Sequence, residues 1–425
     1  MSLNPRFQKP SPAKLQKATN VRKLYLDTNL QIVFCVTLMA IVSVSSIVPV
    51  LPDMIRNIQG LTRANVGLVI TAFTLPGVLM APVTGILGDR LGRKKILVPA
   101  LFVFGFFGTA CFFARDLPTL LTLRFFQGLG AGPLGMINLT IIGDLYEDRE
   151  RLTAMGYNGS VLAAGTAAFP AVGGLLALIG WNWPFVLPVL ALPLGVLVIL
   201  RLNAPEPRHD GALGTYLRDA ARGLRRPKAL ALFCITLLTF IVLYGPIITY
   251  LPLLLDHRFG TSAPHIGLII STASLVTALA SWRLGHLAAR FHPRTLLGTA
   301  FVFYVLSMLA IPFMPGQWWV ILPVLCFGLG QGLNVPTLMS TISGLAPGGQ
   351  RAVFMAANGM ILRLSQTIAP LLMGGLYAVF GLDAVYWGGA ACALGMFLLL
   401  PLAGSEDRSG AGSEAERETK AGSGQ

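Results

Sequence analysis

Three cations, Arg124, Arg283 and Arg363, fall inside long apolar runs of this chain, while its carboxylates reach only run ends, at Asp53, Asp144 and Asp256. An embedded cation costs about 2.5 to 3.5 kcal/mol on insertion scales, so such a side chain is expected to face a bundle interior or a watery cavity. Arg363 has Gln366 one helical turn away, and Arg283 is near enough to a run end to snorkel. Asn138, Tyr244, Tyr250, Gln331 and Asn334 are placed to line the same cavity, or equally to hydrogen-bond between helices. A cavity holding Arg124 and Arg363 and no mid-membrane acid favours neutral, amphiphilic or anionic molecules over cations.

Enzymatic chemistry finds no foothold. His209, His257, His265, His286 and His292 show no metal-ligand spacing, and no phosphate loop of the form G-x-x-x-x-G-K-[ST] occurs. The run Gly128 to Gly132 follows no strand and recurs as Gly328 to Gly332 inside an apolar run, which suits close helix packing rather than a dinucleotide. Cys35, Cys111, Cys234, Cys326 and Cys392 are odd in number and dispersed in apolar segments, so they read as small hydrophobes, not as disulfides or metal ligands. No cofactor and no metal are expected.

These residues sit on membrane helices. The chain is 54% hydrophobic and 12% charged, too little charge to cover a soluble surface of 425 residues. Taking about 20 apolar residues per crossing, twelve helices are expected near 30–52, 66–87, 96–114, 118–140, 155–178, 184–203, 229–253, 265–288, 294–314, 318–343, 352–379 and 382–403. With both termini inside, 25 of the 32 Lys and Arg residues fall on the cytoplasmic side, and only Arg56, Arg63, Arg115 and Arg258 fall outside. That asymmetry also accounts for the net charge of +14 without nucleic acid. The densest charge, Gly85 to Lys95, reads as a cytoplasmic hinge between two helices.

Sliding the chain by 200 positions superposes Leu51-Pro52 on Leu251-Pro252, Gly67 on Gly267, Asn158-Gly159 on Asn358-Gly359, Pro170 on Pro370 and Gly174 on Gly374. One offset over the whole length means two six-helix halves of the same topology, with a substrate path between them. The expected organisation is a basic arm at 1–29, one half at 30–203, a linker at 204–228, the second half at 229–403 and a disordered tail at 404–425. The linker carries Tyr216, Leu217, Ala220 and Leu224 against Arg218, Arg222, Arg225 and Arg226, a pattern fitting a helix on the inner leaflet or a solvated connection.

Gly85 to Lys95, Leu121 to Gly130, and Gly165, Pro170, Gly173 and Gly174 together resemble the signatures of the major facilitator superfamily, specifically its twelve-helix drug and proton antiporter branch. Phe169 stands where the last of these motifs carries Gly. The resemblance implies that Gly85, Asp89, Gly92, Arg93 and Asp144 form a conformational latch of the outward-open state. It also implies that the charge of Arg124 couples transport to protons, and that the glycines around Pro170 pack helices. Coupling needs a titrating group, for which Asp53 at the outer end of the first helix is best placed, followed by Asp27 at its inner end.

The expectation is therefore a monomeric secondary transporter in a bacterial cytoplasmic membrane, exchanging a small molecule against protons by alternating access, without nucleic acid. A lipid or lysolipid flippase and an uncoupled facilitator remain open on the same scaffold.

Overall fold

The computed structural model describes residues 24–203, 227–345 and 351–403; within these, the side chains of 81–83, 85–87, 89, 90, 351 and 352 lie outside the description. The arm, linker and tail expected from sequence fall largely or wholly outside it. Everything described is helical apart from turns and one isolated bridge between Gln59 and Asp116. In hydrocarbon each segment must satisfy its own backbone, and helices do so.

In the first half the helices are α1 (Thr28–Ser45), α2 (Leu51–Asn57), α3 (Leu68–Leu91), α4 (Arg93–Ala110), α5 (Leu117–Leu145), α6 (Asp148–Leu176) and α7 (Ala191–Arg201). In the second they are α8 (Pro227–Val242), α9 (Leu251–Phe259), α10 (Ala263–Ala288), α11 (Pro293–Ala310), α12 (Ile321–Leu345), α13 (Arg351–Phe380) and α14 (Leu382–Ala403). Among the described residues ten helical stretches are long and apolar enough to cross a membrane. α3 and α13 are helices of 24 and 30 residues.

Two long stretches are interrupted at matching places of the repeat. The path from α1 to α2 passes through a 3-10 turn, Val48–Val50, whose Pro49 has no N–H to donate. The path from α8 to α9 widens into a π-helical segment, Leu243–Tyr250, around Pro246. Such π-segments re-aim side chains and gather at functional sites.

The charged stretch expected as a hinge is tighter than a loop. α3 runs to Leu91, Gly92 alone turns the chain, and α4 begins at Arg93. Gly92 has φ +96°, a region open to glycine and strained for other residues. The charged residues complete the helices instead of leaving them, because helix ends exposed to water tolerate charge and apolar run lengths do not mark where hydrogen bonding stops.

Two buried apolar clusters lie almost wholly within one half each. A third draws on both halves, joining Ile47, Val50, Met54 and Val66 to Ile241, Tyr250, Leu253 and Met373. It occupies the end of the bundle that carries Arg56, called here the Arg56 end; the opposite end carries Arg93.

The seam between halves obeys the repeat. At the Arg56 end a Cβ on Gly67, which caps the N-terminus of α3, would stand 2.7 Å from Pro370 Cβ of α13, and one on Gly267 of α10 would stand 2.3 Å from the Pro170 carbonyl of α6. Gly67 and Gly267 are repeat mates, as are Pro170 and Pro370, so the two contacts are one contact made twice about a pseudo-twofold axis. Arg56 completes the seam by bridging to Asp256, its own mate at offset 200. Toward the Arg93 end, Gly159 of α6 and its mate Gly359 of α13 have open space beside them.

Candidate functional site: the membrane cations and the seam between halves

Arg124 is enclosed completely, with no solvent exposure. Its Nη1 donates to Gln127 Oε1 at 2.8 Å and its Nη2 to the Ser43 carbonyl at 3.1 Å. That carbonyl is free because the backbone tightens where α1 ends and Ile47 N–H bonds to Val44 instead. Phe73 and Phe185 present their rings at 5.1 and 5.5 Å from the guanidinium carbon. Carbonyl, amide and two π faces thus take the place of a carboxylate, and all of them belong to the first half.

Arg363 is placed differently. It sits near the middle of α13, partly buried, and reaches across the seam into the first half. Its Nη2 meets the Gly132 carbonyl of α5 at 3.4 Å, its only side-chain hydrogen bond among the described residues. Beside it Gln366 Nε2 donates to the Tyr244 hydroxyl at 2.8 Å, so the π-segment and α13 meet at this point. One turn further, Thr71 Oγ1 donates to the Thr367 carbonyl at 2.9 Å, and Thr367 Oγ1 lies 3.0 Å from Thr74 Oγ1. Of the polar groups expected from sequence, Arg363, Gln366 and Tyr244 are therefore brought together.

Asn138, Gln331 and Asn334 are occupied inside single halves, whereas the buried Tyr250 hydroxyl has no hydrogen-bond partner among the described residues. Asn138 donates to Thr37 Oγ1, which in turn donates to Asn158 at 2.5 Å, tying α1, α5 and α6. Asn334 donates to Thr239 at 2.7 Å, and the Tyr304 hydroxyl bonds Gln331 at 2.5 Å. Thr236 donates to Asn358 at 2.7 Å, the second half's counterpart of Thr37 and Asn158. Tyr250 is fully buried and stacks on Tyr377 with ring centroids 5.6 Å apart. A polar group in an apolar bundle takes whatever partner lies within reach, because leaving it unpaired is costly. Sequence reading named Asn138 and Asn334 but missed the threonines that hold them; the offset that pairs Asn158 with Asn358 was the available signal.

The glycines around Pro170 sit at close approaches, with Gly165 against Ile41, Gly173 against the Ser46 carbonyl and Gly174 against the Ala263 carbonyl. Phe169 packs partly buried against the first-half core. Of the latch residues, Arg93 Nε pairs with Asp144 Oδ2 at 3.2 Å, and Gly88 leaves room for its guanidinium. Gly85 lies within α3, Gly92 is the turn, and the Asp89 side chain lies outside the described residues. Lys94 donates to the Leu202 carbonyl at 3.0 Å just past α7, where a cation is favoured by the helix dipole.

Neither candidate proton carrier stands alone. Asp53 pairs with Arg56 at 2.7 Å, one turn along the same helix, and Arg56 holds Asp256 at 2.5 Å. Asp27 caps α1, accepting from the N–H groups of Asn29 at 2.7 Å and Leu30 at 3.4 Å. Beyond the end of α5, burial, together with the neighbouring Asp27 carboxylate, pushes the Tyr146 hydroxyl above its usual range, keeping it a proton donor.

A twofold-repeated helical bundle with a signature turn at Gly92 and a seam built from repeat mates narrows the family, and sequence comparison decides it. A family model described as Major Facilitator Superfamily matches residues 33–366 and 247–423. The chain belongs to that superfamily. It is a transporter, not an enzyme. Among superfamily relatives, the chain is similar to multidrug resistance protein 2 of Bacillus subtilis (strain 168), 23% identical over 85% of this chain and 91% of the relative. It is also similar to the class D tetracycline resistance protein of Salmonella ordonez, 25% identical over 82% of this chain and 89% of the relative. In fold it matches the nucleoside transporter NupG with a TM-score of 0.75 at 14% identity, over 89% of this chain and 99% of the other. The superfamily assignment makes the apolar helices those of an integral membrane protein.

Proposed function

We propose that this chain exports a neutral, amphiphilic or anionic small molecule in exchange for protons, by alternating access between its two halves. The observation that carries the proposal is the seam. It is shut at the Arg56 end by contacts that the repeat makes twice, Gly67 on Pro370 and Gly267 on Pro170, with Arg56 bridging to Asp256. Rocking one half against the other about such a seam exposes a central site to each side in turn.

In this reading the chain crosses a bacterial cytoplasmic membrane twelve times as a monomer, surrounded by lipid, with no nucleic-acid partner and the proton gradient as its only energy source. The excess of Lys and Arg supports a cytoplasmic setting for the Arg93 end and both termini. The Arg93–Asp144 pair and Asp89 form the cytoplasmic latch, Asp53 carries the proton and Arg124 tunes that step. Relatives named for multidrug and tetracycline resistance support export as the direction. An uncoupled facilitator is favoured by one observation, that the described carboxylates lie only at helix ends, and a lipid flippase is the further alternative. Counterflow in proteoliposomes with and without a pH gradient tests the proposal: accumulation should follow the gradient and vanish with an ionophore. Equal exchange in both conditions refutes proton coupling, and lipid flipping without solute exchange refutes the small-molecule cargo.

A further inference from the structure

Arg363 has features that a structural arginine lacks. Among the described residues no carboxylate lies within ion-pair distance of it, although the half-buried guanidinium sits near the middle of the 30-residue α13. Its single side-chain hydrogen bond is long, 3.4 Å to the Gly132 carbonyl. The first half makes room for it with glycine: a Cβ on Gly77 would stand 2.9 Å from Nη1, and one on Gly135 would stand 3.3 Å from Nη2. The neighbouring Tyr244 hydroxyl accepts from Gln366 and lies within electrostatic reach of Arg363, with no acceptor among the described residues for its own proton. A planar cation with five donors and a phenol O–H converge here, and no carboxylate among the described residues answers them. Arg124 shows the contrast, since its charge is boxed in within one half and is inaccessible to any cargo.

We propose that Arg363 and Tyr244 form the binding site for a single oxyanion, a carboxylate or an acid of like geometry, carried by the transported molecule. This rests on the transporter reading above and narrows its cargo to amphiphiles with an anionic head. The anion takes the guanidinium as a two-pronged partner, with the Tyr244 hydroxyl as third donor. In doing so it replaces the Gly132 carbonyl. Because that carbonyl belongs to the other half, filling the site removes a cross-half contact, which links cargo binding to the opening of the seam.

The same chemistry is offered by a soluble aryl acid and by an anionic lysolipid, and the test separates them. Purified full-length protein in nanodiscs is titrated with 1-naphthylacetate against 1-naphthylacetamide, 1-naphthalenesulfonate against its sulfonamide, and lysophosphatidylglycerol against lysophosphatidylcholine, read by intrinsic fluorescence and thermal shift. Each acid should bind about tenfold or more tighter than its uncharged or zwitterionic partner. That preference should vanish in Arg363→Gln, persist in part in Arg363→Lys and weaken severalfold in Tyr244→Phe. Preference confined to the lysolipid assigns the oxyanion to a headgroup; preference in the aryl pairs assigns it to a soluble acid. Equal binding within every pair, retained preference in Arg363→Gln, or no binding by any acid overturns the inference, and the comparison within wild type does not depend on how well a variant folds. Failure of the transporter reading is distinguished by counterflow: acids bound through Arg363 but never exchanged across the bilayer would sink export and leave the site standing.

Discussion

Replacing Gly267 by Ala should unseat the closed Arg56 end without harming either half. The added Cβ would stand 2.3 Å from the Pro170 carbonyl and 3.0 Å from its carbon, both backbone atoms that cannot swing aside. Overpacking of this kind costs about 1 to 3 kcal/mol, and here the cost falls only on the state in which α6 and α10 touch. The helix itself gains, since alanine is favoured over glycine in a helix interior by about 1 kcal/mol. The equilibrium should therefore move away from the closed Arg56 end by about 5- to 150-fold. The assay is double electron–electron resonance between nitroxides at Arg63 and Ser262, exposed positions on opposite halves at that end, in a background without native cysteines. The expected result is growth of a longer-distance population, with the same change from Gly67→Ala because its Cβ meets the repeat mate of Pro170. Unchanged distances in well-folded protein, or opposite shifts for the two variants, would refute the claim that this seam decides which end is shut.

The cross-half ion pair gives a smaller effect of the same sign. Arg56→Gln removes a bridge whose arginine is 56% and whose Asp256 is 12% exposed, so a loss of about 0.2 to 1 kcal/mol is expected, and its effect on the same distances should fade as salt rises. Asp53→Asn should abolish gradient-driven transport in proteoliposomes while leaving exchange at equal pH intact; unaltered gradient dependence removes Asp53 from coupling. Thr37→Val should lower the thermal midpoint, because it orphans Asn138 and Asn158 at a cost of about 1 to 3 kcal/mol, and a midpoint equal to wild type would show the network to be without weight. Asp144→Asn should slow cycling without changing which acids bind, as checked by the fluorescence titrations; an altered acid preference would place it in cargo recognition instead.

The helices were legible because a membrane leaves a segment few other choices, and the matched halves were legible because one offset aligned Gly, Pro and Asn at spaced positions. What each matched residue touches was not legible. Pro170 and Gly267 are 97 positions apart and fall on different halves, so only the packed structure reveals that repeat mates oppose each other across the axis. Arg56 read as a loop charge and Asp256 as a run-end carboxylate in the sequence, yet they form a pair at the repeat offset itself. Boundaries were the weakest element: α6 begins at Asp148, well before the apolar run, because helical hydrogen bonding continues into water at the membrane edge.

The two membrane arginines show why chemistry cannot be assigned from embedding alone. By insertion cost Arg124 and Arg363 are equivalent, and both were expected to face a cavity. Partners separate them. Every group that satisfies Arg124 lies in the first half, so under the proposed rocking its surroundings would move with it. The group that satisfies Arg363 lies in the opposite half, so any rocking motion must break that bond and something must replace it. A charge whose partners travel with it can hold a structure or tune a field. Under the alternating access proposed above, a charge whose partner departs at each cycle must be resolvated or taken up by an anion, and inside an apolar bundle the second is the cheaper outcome.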